Sequence, residues 1–394
     1  MSMCFPNPAE TDFGVFIHRR MRRVAEQIPV LVLAPVPVLE YGNPKRILAP
    51  LGQIPQRAQE GGLDIRYPRW FYPPLGGWLN GPLLGIQMLP RVWGLTRSID
   101  LIDAHFAHPE GVAAALLATI LKRPFVVTLR GNETDHAVYA MRRRIMGWAL
   151  RRAARVITVS ERLRQFAISL GCEPRQVVTI PNGIDGTVFY PRGRDEARRE
   201  WSIGPRDKVI LSAGYLIERK GHHRLVEALR GVIDQGVEAQ LLIAGGPGRE
   251  GDYEAVIRKM VTDLNLGEHV RFLGPVKPDA LARLMSLCDV FALATSNEGW
   301  PNVVHEAMAC GAPVVATDIG AIPEMIQSSE FGYVVPFGDK AALEKALAAS
   351  LCRDWNHEVI SQWALSRSWD NVAAEVVALM QEVVAEKEKE LGDR

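Results

Sequence analysis

The chain has 394 residues, of which 47% are apolar and 23% charged, and its formal net charge is +1. This balance excludes a disordered chain, and the length suits two domains of roughly 150–200 residues each. Five scattered cysteines without a C-x-x-C pair suggest neither a disulfide framework nor a zinc site, which points to a reducing compartment.

The start, MSMCFPNPAETDFG, has no basic flank leading into an apolar core, so it does not read as a signal peptide. MSMCF is barely long enough for a first strand. Gly14 follows it and opens the helix GVFIHRRMRR, where the missing side chain would let backbone approach a phosphate or sugar; an ordinary tight turn would use glycine as well. The apolar run IPVLVLAPVPVL carries three prolines and is too short for a bilayer span of roughly 20 residues. A cytoplasmic protein is expected.

From there, strand-like runs (PVLVLAP, DLIDAH, PFVVTLR, RVITVS, QVVTIPN) alternate with helix-like ones (GVFIHRRMRRVAEQ, EGVAAALLATILK, ERLRQFAISLG), the rhythm of a parallel sheet wrapped by helices. Between the first two strands, WFYPPLGGWLNGPLLG (70–85) either meets an apolar acceptor or simply packs. His105 and His108 close DLIDAH, and Arg130, Asn132 and Glu133 close VVTLR, where they are candidates to face a substrate. Residues 141–156 read as a basic amphipathic helix that suits an anionic membrane surface or a solvated arginine face. No basic–aromatic interleaving supports nucleic-acid binding.

Pro, Gly and Asp cluster in PNGIDGTVFYPRGRDE, which sets a boundary between residues 1–188 and 189–367. KVILSAG, QLLIAGG, VRFLG, DVFALAT, PVVAT and YVVP then repeat the α/β scheme, and the tail from about Trp369 reads as one amphipathic helix over 368–394. Residues 1–190 carry roughly nine more basic than acidic residues and the remainder roughly eight more acidic than basic, so the first half is expected to meet something anionic. Ligands of open α/β sheets bind at the carboxyl ends of the strands, and two such domains facing one another across a cleft would both contribute loops.

Two loops of the second half stand out. GYLIERKGHH places Arg219 and Lys220 beside Gly221 at a helix start, an arrangement for a diphosphate or a solvated basic turn. SNEGWPNVVHEAMACG places Glu298 before a helix expected to begin at Pro301, with Val303, Val304, Ala307, Met308 and Gly311 as its apolar stripe. Glu306 shares a flank with Asn302. A carboxylate accepts two hydroxyl donors, so Glu306 could hold a ribose and Glu298 a sugar; a dipole-facing Glu298 and a solvated Glu306 would look the same. A glycosidase acid/base pair is disfavoured because a helix start suits phosphate.

EGWPNVVHEAMACGAPVVAT resembles the E-x7-E signature of the retaining GT-B glycosyltransferases, in particular family 4. FPNPAETDFGVF, DLIDAHFAHPEG, VVTLRGNETD, VSERL, PNGIDGTVFYP, SAGYLIERKGHHRLVEAL and LLIAGGPG follow in the family's order, so the resemblance covers nearly the whole chain. It implies two Rossmann-like domains, an acceptor-binding one and a donor-binding one, with the last helix crossing back to the first. It further implies Glu298 at the donor sugar, Glu306 at the ribose and Arg219 and Lys220 at the diphosphate. Gly14 would approach the donor, and backbone at Gly299, Trp300, Asn302 and Val303 would add phosphate contacts.

Two positions depart from the family: Gly214-Tyr215-Leu216 replaces Gly-Arg-Leu, and Arg130-Gly131-Asn132-Glu133 replaces His-Gly-x-Asp. The implied activity is retaining, metal-independent transfer from a UDP- or GDP-sugar to a saccharide or lipid-linked saccharide at the inner membrane face. No cofactor is implied. A nucleotide-sugar epimerase or hydrolase, or a non-catalytic sugar-nucleotide-binding subunit, would use the same fold.

Overall fold

The computed structural model describes residues 1–40, 48–73, 77–248 and 251–392; residues 74–76 of the aromatic connection and 393–394 of the tail lie outside them. The chain divides into two compact units, Met1–Gly183 with Trp369–Arg394, and Ile184–Ser368.

In the first unit, β1 (Leu31–Leu33), β2 (Val36–Pro37), β3 (Arg57–Glu60), β4 (Leu63–Arg66) and β5 (Arg69–Trp70) precede a four-stranded sheet. That sheet is β6 (Ile102–His105), β7 (Phe125–Leu129), β8 (Arg155–Thr158) and β9 (Val177–Thr179), parallel and in sequence order. β1 and β4 pair parallel, whereas β3 and β4 form an antiparallel hairpin. Its turn is Gly61-Gly62, both at positive φ (54° and 83°), the conformation that matches a two-residue hairpin to strand twist. MSMCF forms no strand, contrary to the expectation. Ser2 N donates to Leu33 O at 3.0 Å, His105 N donates to Met1 O at 3.1 Å and the Met1 amino group donates to Asp103 O, so the segment joins the edges of β1 and β6 without forming a strand of its own.

The helix Val15–Ala25 buries Ile17, Met21 and Val24. The C-terminal helix Trp369–Gly392 belongs to this unit and adds Trp369, Val372, Val376, Met380 and Val383 to the same core. The basic helix runs over Ala140–Leu150 and stops well short of 156, because Arg155 already belongs to β8. Met146, Ala149 and Leu150 are buried, while Arg143 and Arg144 are exposed.

The second unit holds one six-stranded sheet built from β10 (Val209–Ala213), β11 (Gln240–Ala244), β12 (Val270–Gly274), β13 (Val290–Leu293), β14 (Val314–Thr317) and β15 (Gly332–Val335). Every pair is parallel, in the order β12-β11-β10-β13-β14-β15. All residues of β10, β13 and β14 are buried, as expected where helices cover both faces of a sheet. The order reverses between β10 and β13, which makes the loops after these two strands the walls of a topological switch point.

Candidate active site

The loop after β10 ends in a short 3-10 turn, Glu218–Lys220, before the helix His222–Asp234. Gly221 caps that helix at φ 76°, and a Cβ there would sit 1.9 Å from Ala294 O, so only glycine lets the loop after β10 lie against the loop after β13. The two loops are then stitched together. Ser296 N and Thr295 Oγ1 donate to Arg219 O at 2.9 and 3.1 Å, and Arg219 Nη1 donates to Asn297 O at 2.9 Å.

Glu298 lies inside this junction. Its Oε1 accepts from Lys220 Nζ at 2.5 Å and stands 3.8 Å from Arg219 Nη1. Thr295 Oγ1 adds a contact to the same oxygen at 3.3 Å. Of the two readings of Glu298, a sugar contact or a carboxylate facing the helix dipole, the second is displaced: the carboxylate pairs with the two cations, because one beside two basic side chains gains more than one beside a helix dipole. Among the described residues the junction thus gathers two cations around one carboxylate at the strand ends. His222, one residue past Gly221, is buried, with Nδ1 3.0 Å from Ser212 Oγ. Burial, assisted by Lys220, lowers its pKa to about 4, so it stays neutral and adds no further charge.

The helix after Glu298 runs over Asn302–Ala309 with Pro301 as its N-cap, one residue later than expected. Val304, Ala307 and Met308 are buried as expected, but His305 joins them and Val303 stays half-buried. His305 donates from Nε2 to Ala364 O at 2.9 Å, and the buried Trp300 ring meets it edge-on at 5.7 Å. The Trp300 side chain is thus core, which leaves its backbone for any ligand role. Asn302 and Glu306 lie half-buried one turn apart on the outer flank.

A further residue escaped the sequence reading. Gly320, after β14, sits at φ 58°, and a Cβ there would meet Glu298 O at 2.1 Å; next to it, Ala321 N donates to Gly299 O at 3.1 Å. The stretch 319–321 therefore presses on the backbone that carries Glu298 and Gly299. Nothing in DIGAIPEM marks that approach, because the demand for glycine comes from a loop distant in sequence.

In the first unit, Gly14 caps the helix Val15–Ala25 at φ 78°, where a Cβ would meet Cys4 O at 2.3 Å. Glu133, expected to face an acceptor, is fully buried: its carboxylate accepts from the backbone N–H groups of Gly131 (2.7 Å), Arg130 (3.1 Å) and Ala107 (3.3 Å). It holds the turn after β7 and has no oxygen left over for a substrate. His105 and His108 are likewise buried, at 2% and 3% exposure, and do not reach out from the strand end. Burial lowers the His108 pKa to about 4. His105 Nδ1 accepts from Arg130 Nε and Nη2 at 3.2 and 3.0 Å, which joins these two expected residues.

Comparison with known proteins bears on both units. The profile described as "Glycosyltransferase Family 4" matches residues 46–188, and that described as "Glycosyl transferases group 1" matches residues 193–360. The phosphatidyl-myo-inositol mannosyltransferase of Mycobacterium leprae is 30% identical over 383 residues, covering 92% of this chain and 94% of that protein. The N-acetyl-alpha-D-glucosaminyl L-malate synthase of Bacillus anthracis is 25% identical over 292 residues, 73% of this chain and 74% of its own. Among solved structures, sucrose-phosphate synthase from Thermosynechococcus elongatus superposes with a TM-score of 0.74 at 19% identity, over 95% of this chain and 94% of that one. Anabaena HepE in complex with UDP and glucose gives a TM-score of 0.65 at 21% identity, over 96% and 95%. At those identities the solved structures speak for the fold; the relative matched along nearly its whole length speaks for descent, and the chain belongs to the GT-B glycosyltransferases of group 1.

Proposed function

We propose that the protein is a retaining, metal-independent glycosyltransferase that moves a sugar from a UDP- or GDP-sugar to a saccharide or lipid-linked saccharide. The observation that carries this reading is the Lys220–Glu298–Arg219 cluster at the switch point of the second unit. As the bond between the anomeric carbon and the donor phosphate oxygen breaks, negative charge grows on the departing diphosphate. Lys220 and Arg219 neutralise it, with the positive end of the helix Asn302–Ala309 nearby in sequence. Cations already in place supply the charge that a metal would otherwise bring. Glu298 orients the cations before the donor arrives and takes hydroxyls of its sugar afterwards, while Glu306 holds the ribose.

The relatives support the substrate classes by their names, one acting on phosphatidyl-myo-inositol and another using GDP-mannose. A thermal-shift comparison of UDP with GDP, repeated on Glu306→Ala, tests the donor site. A nucleotide at 100 times its dissociation constant stabilises by about 2.7 kcal/mol, and an equal shift in the variant would dismiss the ribose role. Donor turnover without any acceptor would favour an epimerase or hydrolase, and nucleotide binding without turnover a non-catalytic subunit. Retention is read from the anomeric configuration of the product, and metal independence from activity in excess chelator.

Membrane association is a second part of the proposal. Trp78, Leu79, Tyr139 and Met141 are exposed on the first unit, with Arg143 and Arg144 exposed beside Met141. Aromatic and aliphatic side chains beside arginines suit the interface of an anionic bilayer, and none of the described helices is long and apolar enough to cross one. Sedimentation with anionic vesicles at low salt tests this, and absence of binding would remove it.

A further inference from the structure

Arg130 is a buried guanidinium, 7% exposed, whose hydrogen bonds go only to uncharged groups. Nε and Nη2 donate to His105 Nδ1, Nη1 donates to Asn182 Oδ1 at 3.0 Å, and the Phe16 ring centre lies 5.1 Å from Cζ. A guanidinium cannot accept, so His105 Nδ1 must, which leaves the imidazole proton on Nε2, 3.3 Å from Asp103 Oδ2. Burial, opposed by Asp103 and reinforced by Arg130, takes the His105 pKa down to about 3, so the ring stays neutral. Three of the five N–H groups of Arg130 are thereby spent and two are not.

Arg20 reinforces the pattern. It sits on the apolar stripe of the helix Val15–Ala25, 1% exposed, and donates from Nη1 to Thr128 Oγ1 at 3.2 Å. Its Nε and Nη2 have no partner among the described residues. Thr128 lies in β7 and Arg130 follows the strand's end, and the two guanidinium groups are close enough for each to disfavour the other's charge. Among the described residues no carboxylate forms an ion pair with either arginine, and the Glu133 carboxylate is spent on backbone. Asp103 attracts both guanidinium groups and Glu133 attracts Arg130 through charge alone, neither within ion-pair distance, and a bidentate oxyanion is the group that recovers most of the remaining burial cost.

We infer that Arg130, backed by Arg20 and aimed by His105, is an anion-recognition site on the first unit that takes a phosphate or carboxylate group of the acceptor. The inference rests on the transferase reading, since it assigns this site to the acceptor. Phosphate and carboxylate offer the same pair of oxygens to the guanidinium fork, and the two probes below separate them.

The test is calorimetric titration of the full chain with inorganic phosphate and with malonate, at low salt and with the donor site filled by excess UDP. The expected result is one saturable site for at least one anion, weakened ~10-fold or more in Arg130→Gln. Arg130→Lys keeps the charge without the planar fork and should bind more weakly than the parent, which reads the site even if Arg130→Gln folds poorly. No saturable binding of either anion, or equal affinity in parent and both variants, would overturn the proposal. The titration is repeated on Lys220→Met without UDP, so that the cations of the second unit are not counted. Anion binding that persists in Lys220→Met, together with a parent protein that gives no thermal shift with UDP or GDP, would sink the donor reading and leave this site standing. Nucleotide binding without anion binding would do the reverse.

Discussion

Lys220 Nζ and Glu298 Oε1 lie 2.5 Å apart although 78 residues separate them in the chain. Their side chains are only 15% and 10% exposed, so water does little to screen the pair. Lys220→Met is expected to lose the thermal protection given by UDP or GDP and to slow transfer by about 100-fold or more, the scale of removing one transition-state charge partner. Glu298→Gln should retain most nucleotide binding while losing transfer. Steady-state transfer and thermal shifts on both variants check this, and undiminished nucleotide protection in Lys220→Met would remove the phosphate role.

Gly320→Ala should unsettle the loop that carries Glu298. The new Cβ would combine left-handed strain at φ 58° with a 2.1 Å approach to Glu298 O. Gly338 offers a control, because it has φ 85° but nothing within 4 Å of an added Cβ. Gly338→Ala is expected to cost only the strain, about 1–2 kcal/mol, and Gly320→Ala more, with a drop in transfer that the control does not show. Denaturant melts and activity of the two variants separate clash from strain.

Glu110 gives the first unit a pH dependence of unusual sign. Its Oε1 accepts from Met3 N at 2.9 Å, and burial pushes its carboxyl up to about 7. Between the unfolded value near 4.3 and about 7 the native state holds a proton that the unfolded chain has released, so stability falls as pH rises through that window. Glu110→Gln keeps the acceptor and removes the titration. It should exceed the parent in stability at pH 8, on the order of 3–4 kcal/mol, with the gain vanishing near pH 4. Melts of both proteins across pH 4–8 decide; a constant difference would refute it.

Glu133→Ala removes the acceptor of three backbone N–H groups around the turn after β7. With those donors buried and left unpaired, a loss of about 3 kcal/mol is expected, visible as a lower denaturation midpoint. A variant as stable as the parent would mean that the turn finds other acceptors.

The sequence was most legible where burial dictates composition. Runs such as VILSA and VVAT are buried throughout, and their β-branched and apolar content announced them. The hairpin of β3 and β4 went unread although Gly61-Gly62 signals a turn, since Arg57–Glu60 is a mostly exposed, polar strand. Arg20 shows a signal that was present: Ile17, Arg20, Met21 and Val24 follow helical spacing and all are buried, so an arginine stood in a core position. The turning of Glu133 onto backbone, the pairing of Glu298 with Lys220 and the need for glycine at 320 were not readable. Each depends on where a second, distant segment places its atoms.

The C-terminal helix has a consequence for biosynthesis. Because Trp369–Arg394 completes a unit begun at Met1, that unit is discontinuous, whereas Ile184–Ser368 is one uninterrupted stretch. On the ribosome the usual order, in which the N-terminal domain matures first, is therefore inverted. The later-made unit can close as soon as it emerges, while the earlier one waits with Ile17, Met21 and Val24 lacking their cover until Trp369, Val372, Val376, Met380 and Val383 have emerged. A chain stopped before Trp369 would carry a second unit able to close beside a first unit whose core stays uncovered.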